Sequence, residues 1–260
     1  MNLNQEQRTF WDRQGFLHLK QFFGDGQQLK EWACALQEWP EASGKWMKYF
    51  ESDQANLNAH RLCRIENFLE YHQGWRRIIT DVGLLGILEQ LFGEPAVVFK
   101  EKLNFKLAGG SGFAAHQDAP AFVTFGQKFH ITAMISVDRT TERNGCLEIA
   151  AGRHLEGVME MTEAQVLTKS VVDALEWQSL ETQPGDLVLF GSHLPHRSST
   201  NQCLTSRRVA YVTYNAFSEG SYRQAYYTNK RAVFPPENER IAGRDYANSQ
   251  PYNIGNPILR

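Results

Sequence analysis

His116 and Asp118, two residues apart, together with His196 far downstream and Arg207 eleven residues beyond it, are the side chains with the clearest chemical potential in this chain. Two imidazoles and one carboxylate retain a non-haem Fe(II) ion on one face and leave the remaining coordination positions open for exchange. On a strand running into a loop, residues two apart leave the same face, so His116 and Asp118 can share one ion. His196 must then be delivered from elsewhere in the fold. Zinc hydrolases also use two histidines and a carboxylate, so the ligands alone leave hydrolysis open.

Arg207 tips the balance toward oxygen chemistry. A guanidinium meets a carboxylate with two parallel hydrogen bonds in a fixed fork, which is how an enzyme would hold the distal carboxylate of 2-oxoglutarate. Arg208 is its neighbour, and on a strand the two point to opposite faces. Arg207 shares parity with Val209 and Tyr211, and Arg208 with Ala210 and Val212. Periodicity leaves open which set faces inward.

Behind these residues the chain changes character near Gly93. A capped helix is expected from Asn4 to about Gln14, with Phe10 and Trp11 placed for burial, followed by the apolar run Phe16 to Leu19. Further helices are expected over 26–39 and 74–92, the latter carrying Ile78, Ile79, Val82, Leu85, Leu88 and Leu91 at helical spacing. The stretch 42–66 is mixed and receives no assignment. After Gly93, β-like runs cover 96–106, 129–137, 145–149, 171–180, 186–190 and 207–215, separated by turn signals such as Asn144-Gly145 and Pro184-Gly185. That rhythm predicts a mainly β protein with flanking α-helices, a sandwich or barrel of the jelly-roll type. One domain is expected, with residues 1–93 as a mostly helical buttress, 94–215 as the jelly-roll core and 216–260 as a C-terminal extension.

The 260 residues are 42% hydrophobic and 22% charged, enough apolar material for a core. A formal net charge of −2 and a pI near 6.5 give no global drive toward nucleic acid or an anionic membrane, which points to small-molecule chemistry. Cys34, Cys63, Cys146 and Cys203 form no C-x-x-C pair, and free buried thiols are expected. The polar N-terminus lacks the pattern of a signal peptide, so a cytoplasmic location is expected.

The chain resembles the phytanoyl-CoA dioxygenase family of Fe(II)/2-oxoglutarate oxygenases over most of its length. The resemblance is carried by F-x-x-x-G-F-L-x-L-x-x-F-F at 10–23, HQD at 116–118, N-G-C-L then A-G-R-H at 144–154, P-G-D at 184–186, and H-R-S-x-x-N with a following Arg at 196–207. The family's usual P-G-S-H is replaced by Ala151-Gly152-Arg153-His154. The resemblance implies a double-stranded β-helix, His116, Asp118 and His196 as iron ligands, and Arg207 as the 2-oxoglutarate anchor, with dioxygen as the other cosubstrate. Halogenating members carry a small residue where Asp118 stands, so hydroxylation is implied. Lys106 and Thr132 are candidates to contact 2-oxoglutarate, and Asn104, Gln117 and Arg197 to contact substrate. Asn104 shares strand parity with Lys106.

The tail, from Tyr214-Asn215 through Tyr226-Tyr227 and Lys230-Arg231 to Phe234-Pro235-Pro236, is similar to the aminoalkylphosphonate branch of that family. It implies a small zwitterionic organophosphonate, such as 2-aminoethylphosphonate or an N-methylated form, hydroxylated at the carbon beside phosphorus. An acyl-CoA or an amino-acid-like molecule is the alternative substrate. A zinc hydrolase and a non-catalytic binding protein of the same fold are the rival classes.

Overall fold

The alternating runs of the chain fold into two facing antiparallel sheets. The computed structural model describes residues 1–52, 60–122, 125–244, 246 and 252. In chain order the strands are β1 (Phe16–Leu19), β2 (Met47–Ser52), β3 (His60–Glu66), β4 (Ala96–Lys106), β5 (Phe113–His116), β6 (His130–Ser136), β7 (Leu147–Ile149), β8 (Gln178–Leu180), β9 (Leu187–Gly191), β10 (His196–Ser198) and β11 (Arg207–Ala216). The larger sheet runs β1-β9-β6-β11-β4-β3-β2 and the smaller β5-β10-β7-β8. This is the jelly roll expected from the strand rhythm.

Strand periodicity gives each strand of the larger sheet two different faces. Its outer face carries Leu103, Phe105, Ile131, Ile135, Leu189 and Val212, which pack against helices α2 (Gln27–Glu38), α3 (Gln73–Ile79) and α4 (Val82–Phe92). Its inner face sends Phe16, Met134, Val188, Phe190 and Val209 against Leu147 and Ile149 of the smaller sheet. Fully burying side chains of this size contributes roughly 1.5–3 kcal/mol each. Toward β3 and β4 the inner face turns polar, and there the sandwich opens into a cavity.

Several local expectations give way to packing. Helix α1 (Gln5–Gln14) has the predicted start, since Asn4 Oδ1 accepts from Gln7 N at 2.8 Å and Gln7 Oε1 accepts from Asn4 N at 2.9 Å. Phe10, however, is 42% exposed, lying edge-on to Phe16 at the rim. The helix expected over 74–92 is two helices, because Asp81 caps a new one with Oδ1 accepting from Leu84 N at 3.0 Å. Val82, its first residue, faces solvent at 85% exposure. The strand expected over 171–180 is helix α6 (Lys169–Ala174) followed by the short β8; Val171 and Val172 pack on the buried cluster of Ala115, Ala150, Leu167 and Leu175.

Residues 1–93 are more than a helical buttress. They supply β1 at one edge of the larger sheet and β2 and β3 at the other, with β3 paired to β4 through Arg64↔Asn104 and Glu66↔Lys102. Helix α7 (Arg223–Val233) of the C-terminal extension closes over that edge, burying Tyr226, Tyr227 and Lys230. Of the expected extension, 245, 247–251 and 253–260 lie outside the described residues. All four cysteines are free, and Cys34, expected to be buried, is exposed. Among the described residues no helix is long and apolar enough to cross a membrane.

Candidate active site

His116 ends β5 and His196 begins β10, and the two stand opposite each other in the antiparallel pair of the smaller sheet. Their ring centroids are 4.2 Å apart. Asp118 follows two residues after His116, and its Oδ1 lies 3.9 Å from His116 Nε2 and 4.0 Å from His196 Nε2. One ligand atom from each residue falls within 4.8 Å of the others. Both histidines donate Nδ1–H to a carbonyl two residues upstream, His116 to Ala114 O at 2.8 Å and His196 to Leu194 O at 2.9 Å. This tautomer leaves each Nε2 lone pair facing the common point, the arrangement by which a backbone contact orients a metal ligand. Burial first and His196 second push the His116 imidazole down to about 3, so it is a neutral donor at physiological pH. Burial pushes the Asp118 carboxyl up, but His196, Lys100, His116 and Lys102 outweigh it and hold the group ionised. Thr132 Oγ1 donates to Asp118 Oδ2 at 3.4 Å and meets Thr213 Oγ1 at 3.2 Å. Two imidazole Nε2 atoms and an ionised carboxylate fit a divalent iron ion.

On β11 the inward set is Arg207, Val209, Tyr211 and Thr213. Arg208 faces away and is paired with Asp138 at 2.8 Å, on the side where α2 presents Cys34. Arg207 is buried, held through Nε to Asn144 O at 3.4 Å and through Nη2 to Gly145 O. A cavity lined by Arg207, Lys106 and Glu51 shares Asn104, Phe113 and Tyr211 with the cavity that contains the metal ligands. Arg207 thus stands at the far end of the space that opens from the triad. Lys106 Nζ donates to Ser199 O at 2.6 Å, Ser198 Oγ at 2.8 Å and Gly145 O at 3.3 Å. Burial and then Arg207 push its ammonium down to about 6, so at neutral pH Arg207 is the firmer cation.

The remaining expected residues separate. Gln117 points away from the His116–Asp118–His196 cluster: its amide donates to Gly157 O and His193 O at 2.8 and 2.6 Å, its Oε1 accepts from Met159 N at 2.9 Å, and it is fully buried. Alternation about His116 and Asp118 turned it outward. Arg197 borders the cavity, but its guanidinium is held by Glu148 Oε2 at 2.8 and 2.9 Å and lies 4.3 Å over the Trp177 ring. Asn104 and Thr132 both line the cavity, and Asn104 Oδ1 accepts from Arg64 Nε at 3.3 Å.

The sequence reading missed Lys100 and Lys102, which share the inner face of β4 with Asn104 and Lys106 and line the cavity beside His116 and Asp118. Extending the Asn104–Lys106 parity backward along KEKLNFK would have found them. Neither ammonium has a hydrogen-bonded carboxylate among the described residues. Lys100 lies 4.3 Å over Phe122 and Lys102 5.3 Å over Tyr211. Burial first, and then Arg64 and Lys100, push Lys102 down to about 7, a value that a bound anion would raise again. Arg64, Glu66, Tyr226 and Lys230 complete this wall. They come from the unassigned segment and the tail.

Comparison with known proteins identifies the family and the fold. Residues 11–209 match the model of the phytanoyl-CoA dioxygenase family. The chain is 50% identical over 98% of both chains to a 2-aminoethylphosphonate dioxygenase from an uncultured bacterium (HF130_AEPn_1). It is 37% identical to a methylphosphonate hydroxylase of Gimesia maris, covering 89% of this chain and 88% of that one. Its fold matches the crystal structure of EctD from S. alaskensis with 2-oxoglutarate and 5-hydroxyectoine, with a TM-score of 0.70, 19% identity, and 84% of this chain and 77% of that chain covered. The chain belongs to the phytanoyl-CoA dioxygenase family of Fe(II)/2-oxoglutarate-dependent oxygenases.

Proposed function

We propose that this dioxygenase hydroxylates a small organophosphonate at the carbon beside phosphorus, with 2-aminoethylphosphonate among its substrates. The observation that carries the reading is the pair Lys100 and Lys102, two cavity-facing ammonium groups beside His116 and Asp118 with no bonded carboxylate among the described residues. A phosphonate dianion supplies the charge and the acceptor oxygens such a pair lacks. The named activities of the two phosphonate-processing relatives support the same choice. A wall of lysines and arginine favours a compact dianion over the apolar chain of an acyl-CoA.

His116, Asp118 and His196 hold the iron, and Thr132 steadies the Asp118 oxygen turned toward it. Bound iron and 2-oxoglutarate together supply the oxidising power that places one oxygen atom of dioxygen on a C–H bond. Arg207 receives the distal carboxylate of 2-oxoglutarate and fixes the cosubstrate's orientation. Lys100 and Lys102 grip the phosphonate, which brings the adjacent carbon to the metal side of the cavity. Phe190, whose ring centroid is 5.0 Å from that of His196, and Phe113 keep water from the reacting end. A cytoplasmic setting belongs to this reading and is supported by four unpaired thiols.

A panel assay tests it. With 2-aminoethylphosphonate, succinate should form in equal amount to a 1-hydroxylated product seen by phosphorus NMR. Succinate coupled only to an acyl-CoA or a free amino acid would overturn the proposal.

A further inference from the structure

The cavity beside the metal ligands contains groups suited to an alkylammonium as well as to an anion. Glu66 lies on its wall, and Tyr226 and Tyr252 flank the same space. A carboxylate backed by aromatic faces is the usual receptor for such a cation. In this chain a protein side chain already fills it. Lys230 Nζ donates to both Glu66 oxygens at 2.7 Å, and Arg64 Nη1 stands 3.4 Å from Glu66 Oε1. The same ammonium lies 4.9 Å from the Tyr49 ring centroid, 5.6 Å from that of Tyr252 and 6.0 Å from that of Tyr226. Lys230 and Glu66 are 1% and 2% exposed at their side chains, so the pair is shielded from bulk solvent. Lys100 covers Phe122 and also stands 5.5 Å from Tyr226. Among the described residues the other carboxylate on the wall is Asp118, one of the three groups that could hold a metal.

We infer that Lys230 is a specificity-determining residue, a built-in ammonium whose occupation of the Glu66–tyrosine cage leaves the substrate's own amine without a partner, so the enzyme reads its substrate by the phosphonate end. The inference rests on the proposed function. Among the described residues, four cations, Arg64, Lys100, Lys102 and Lys230, face two carboxylates, Glu66 and Asp118, across this cavity. That surplus matches an alkylphosphonate dianion and gains nothing from an added ammonium. Amine-free and N-methylated alkylphosphonates are therefore substrates alongside 2-aminoethylphosphonate.

The test compares kcat/KM for 2-aminoethylphosphonate and ethylphosphonate in the iron-loaded, full-length enzyme. A charge-assisted contact to the amine would separate the two by more than about tenfold, so a ratio within about tenfold is expected and a larger preference for the aminated substrate overturns the inference. Lys230→Met uncovers Glu66, and the ratio should then rise toward the aminated substrate by about tenfold or more; an unchanged ratio in the folded variant overturns the inference. Should Lys230→Met fail to fold, the double variant Glu66→Gln/Lys230→Gln removes both charges together and should keep the wild-type ratio. Selective loss of the aminated substrate in the double variant shows Glu66 reading the amine and overturns it. Absence of succinate with every phosphonate defeats the parent proposal as well, whereas turnover of the aminated substrate alone defeats only this one.

Discussion

The two ends of the cavity are built on different principles. At the metal end, His116 closes β5, Asp118 follows two residues beyond it and His196 opens β10, and hydrogen bonds to carbonyls two residues away set both imidazoles. Beside it, at the charged end, Arg64, Glu66, Lys100, Lys102 and Lys230 come from β3, β4 and α7. Their long side chains are placed by one another's charge and by aromatic rings. The metal end is thus local and rigid. The charged end exists only when the edge strands and the C-terminal helix have docked, which makes it the place where substrate choice can change without loss of iron.

The difference predicts a ladder of effects. Removing a ligand should be most severe: His196→Ala is expected to abolish iron retention and succinate formation, checked by anaerobic titration of Fe(II) with 2-oxoglutarate for the metal-to-keto-acid charge-transfer band. A normal band in that variant removes His196 from the site. Arg207→Ala should raise the 2-oxoglutarate requirement by about a hundredfold, the loss of a desolvated charge pair of roughly 2–5 kcal/mol at about tenfold per 1.4 kcal/mol. Arg208→Ala should leave that requirement unchanged, because its guanidinium serves Asp138 on the other face. The reverse pattern in steady-state kinetics means the anchor has been placed on the wrong arginine.

At the charged end the effects should be smaller and confined to substrate. Lys102→Met is expected to raise the KM for the phosphonate by roughly tenfold to a hundredfold while the iron and 2-oxoglutarate titrations stay as in wild type. Loss of the charge-transfer band in Lys102→Met would erase the distinction between the two ends. Acid should also act there. Burial pushes the Glu66 carboxyl up, but Lys230 and Arg64 outweigh it and hold the group at about 2, below its ordinary 4.5. A folded value below the unfolded one gives stability that is fully present above about 4.5 and is lost as pH falls through about 2. Lys230→Met should move the acid limb of a melting-temperature profile to higher pH, and an unmoved limb would show that the pair adds no acid resistance. Smallest of all, Asp81→Ala, remote from both ends, should cost about 1 kcal/mol through the lost helix cap. It should lower Tm by about 2–4 °C with iron binding intact.

Residue type and spacing pointed to the triad, because His116 and Asp118 are two apart and a distal His196 followed by Arg207 completes a pattern that H-x-D alone does not make. The short β-like runs after Gly93, divided by turn signals such as Asn144-Gly145 and Pro184-Gly185, likewise announced the jelly roll. Other features depended on contacts between distant segments. The inward facing of Arg207 over Arg208 followed from which side of β11 met α2 and which met the cavity, and both parities carried apolar residues. Gln117 and Arg197 are polar residues beside ligands, yet neighbours at Gly157, His193 and Glu148 had claimed their hydrogen bonds. The break at Asp81 went unread because the apolar positions kept a helical spacing across it. The charged wall lay beyond reach for the most basic reason: a lysine's sequence neighbours do not reveal whether it will meet water, a carboxylate or an aromatic ring, and only docking of β3, β4 and α7 brought those groups to one cavity.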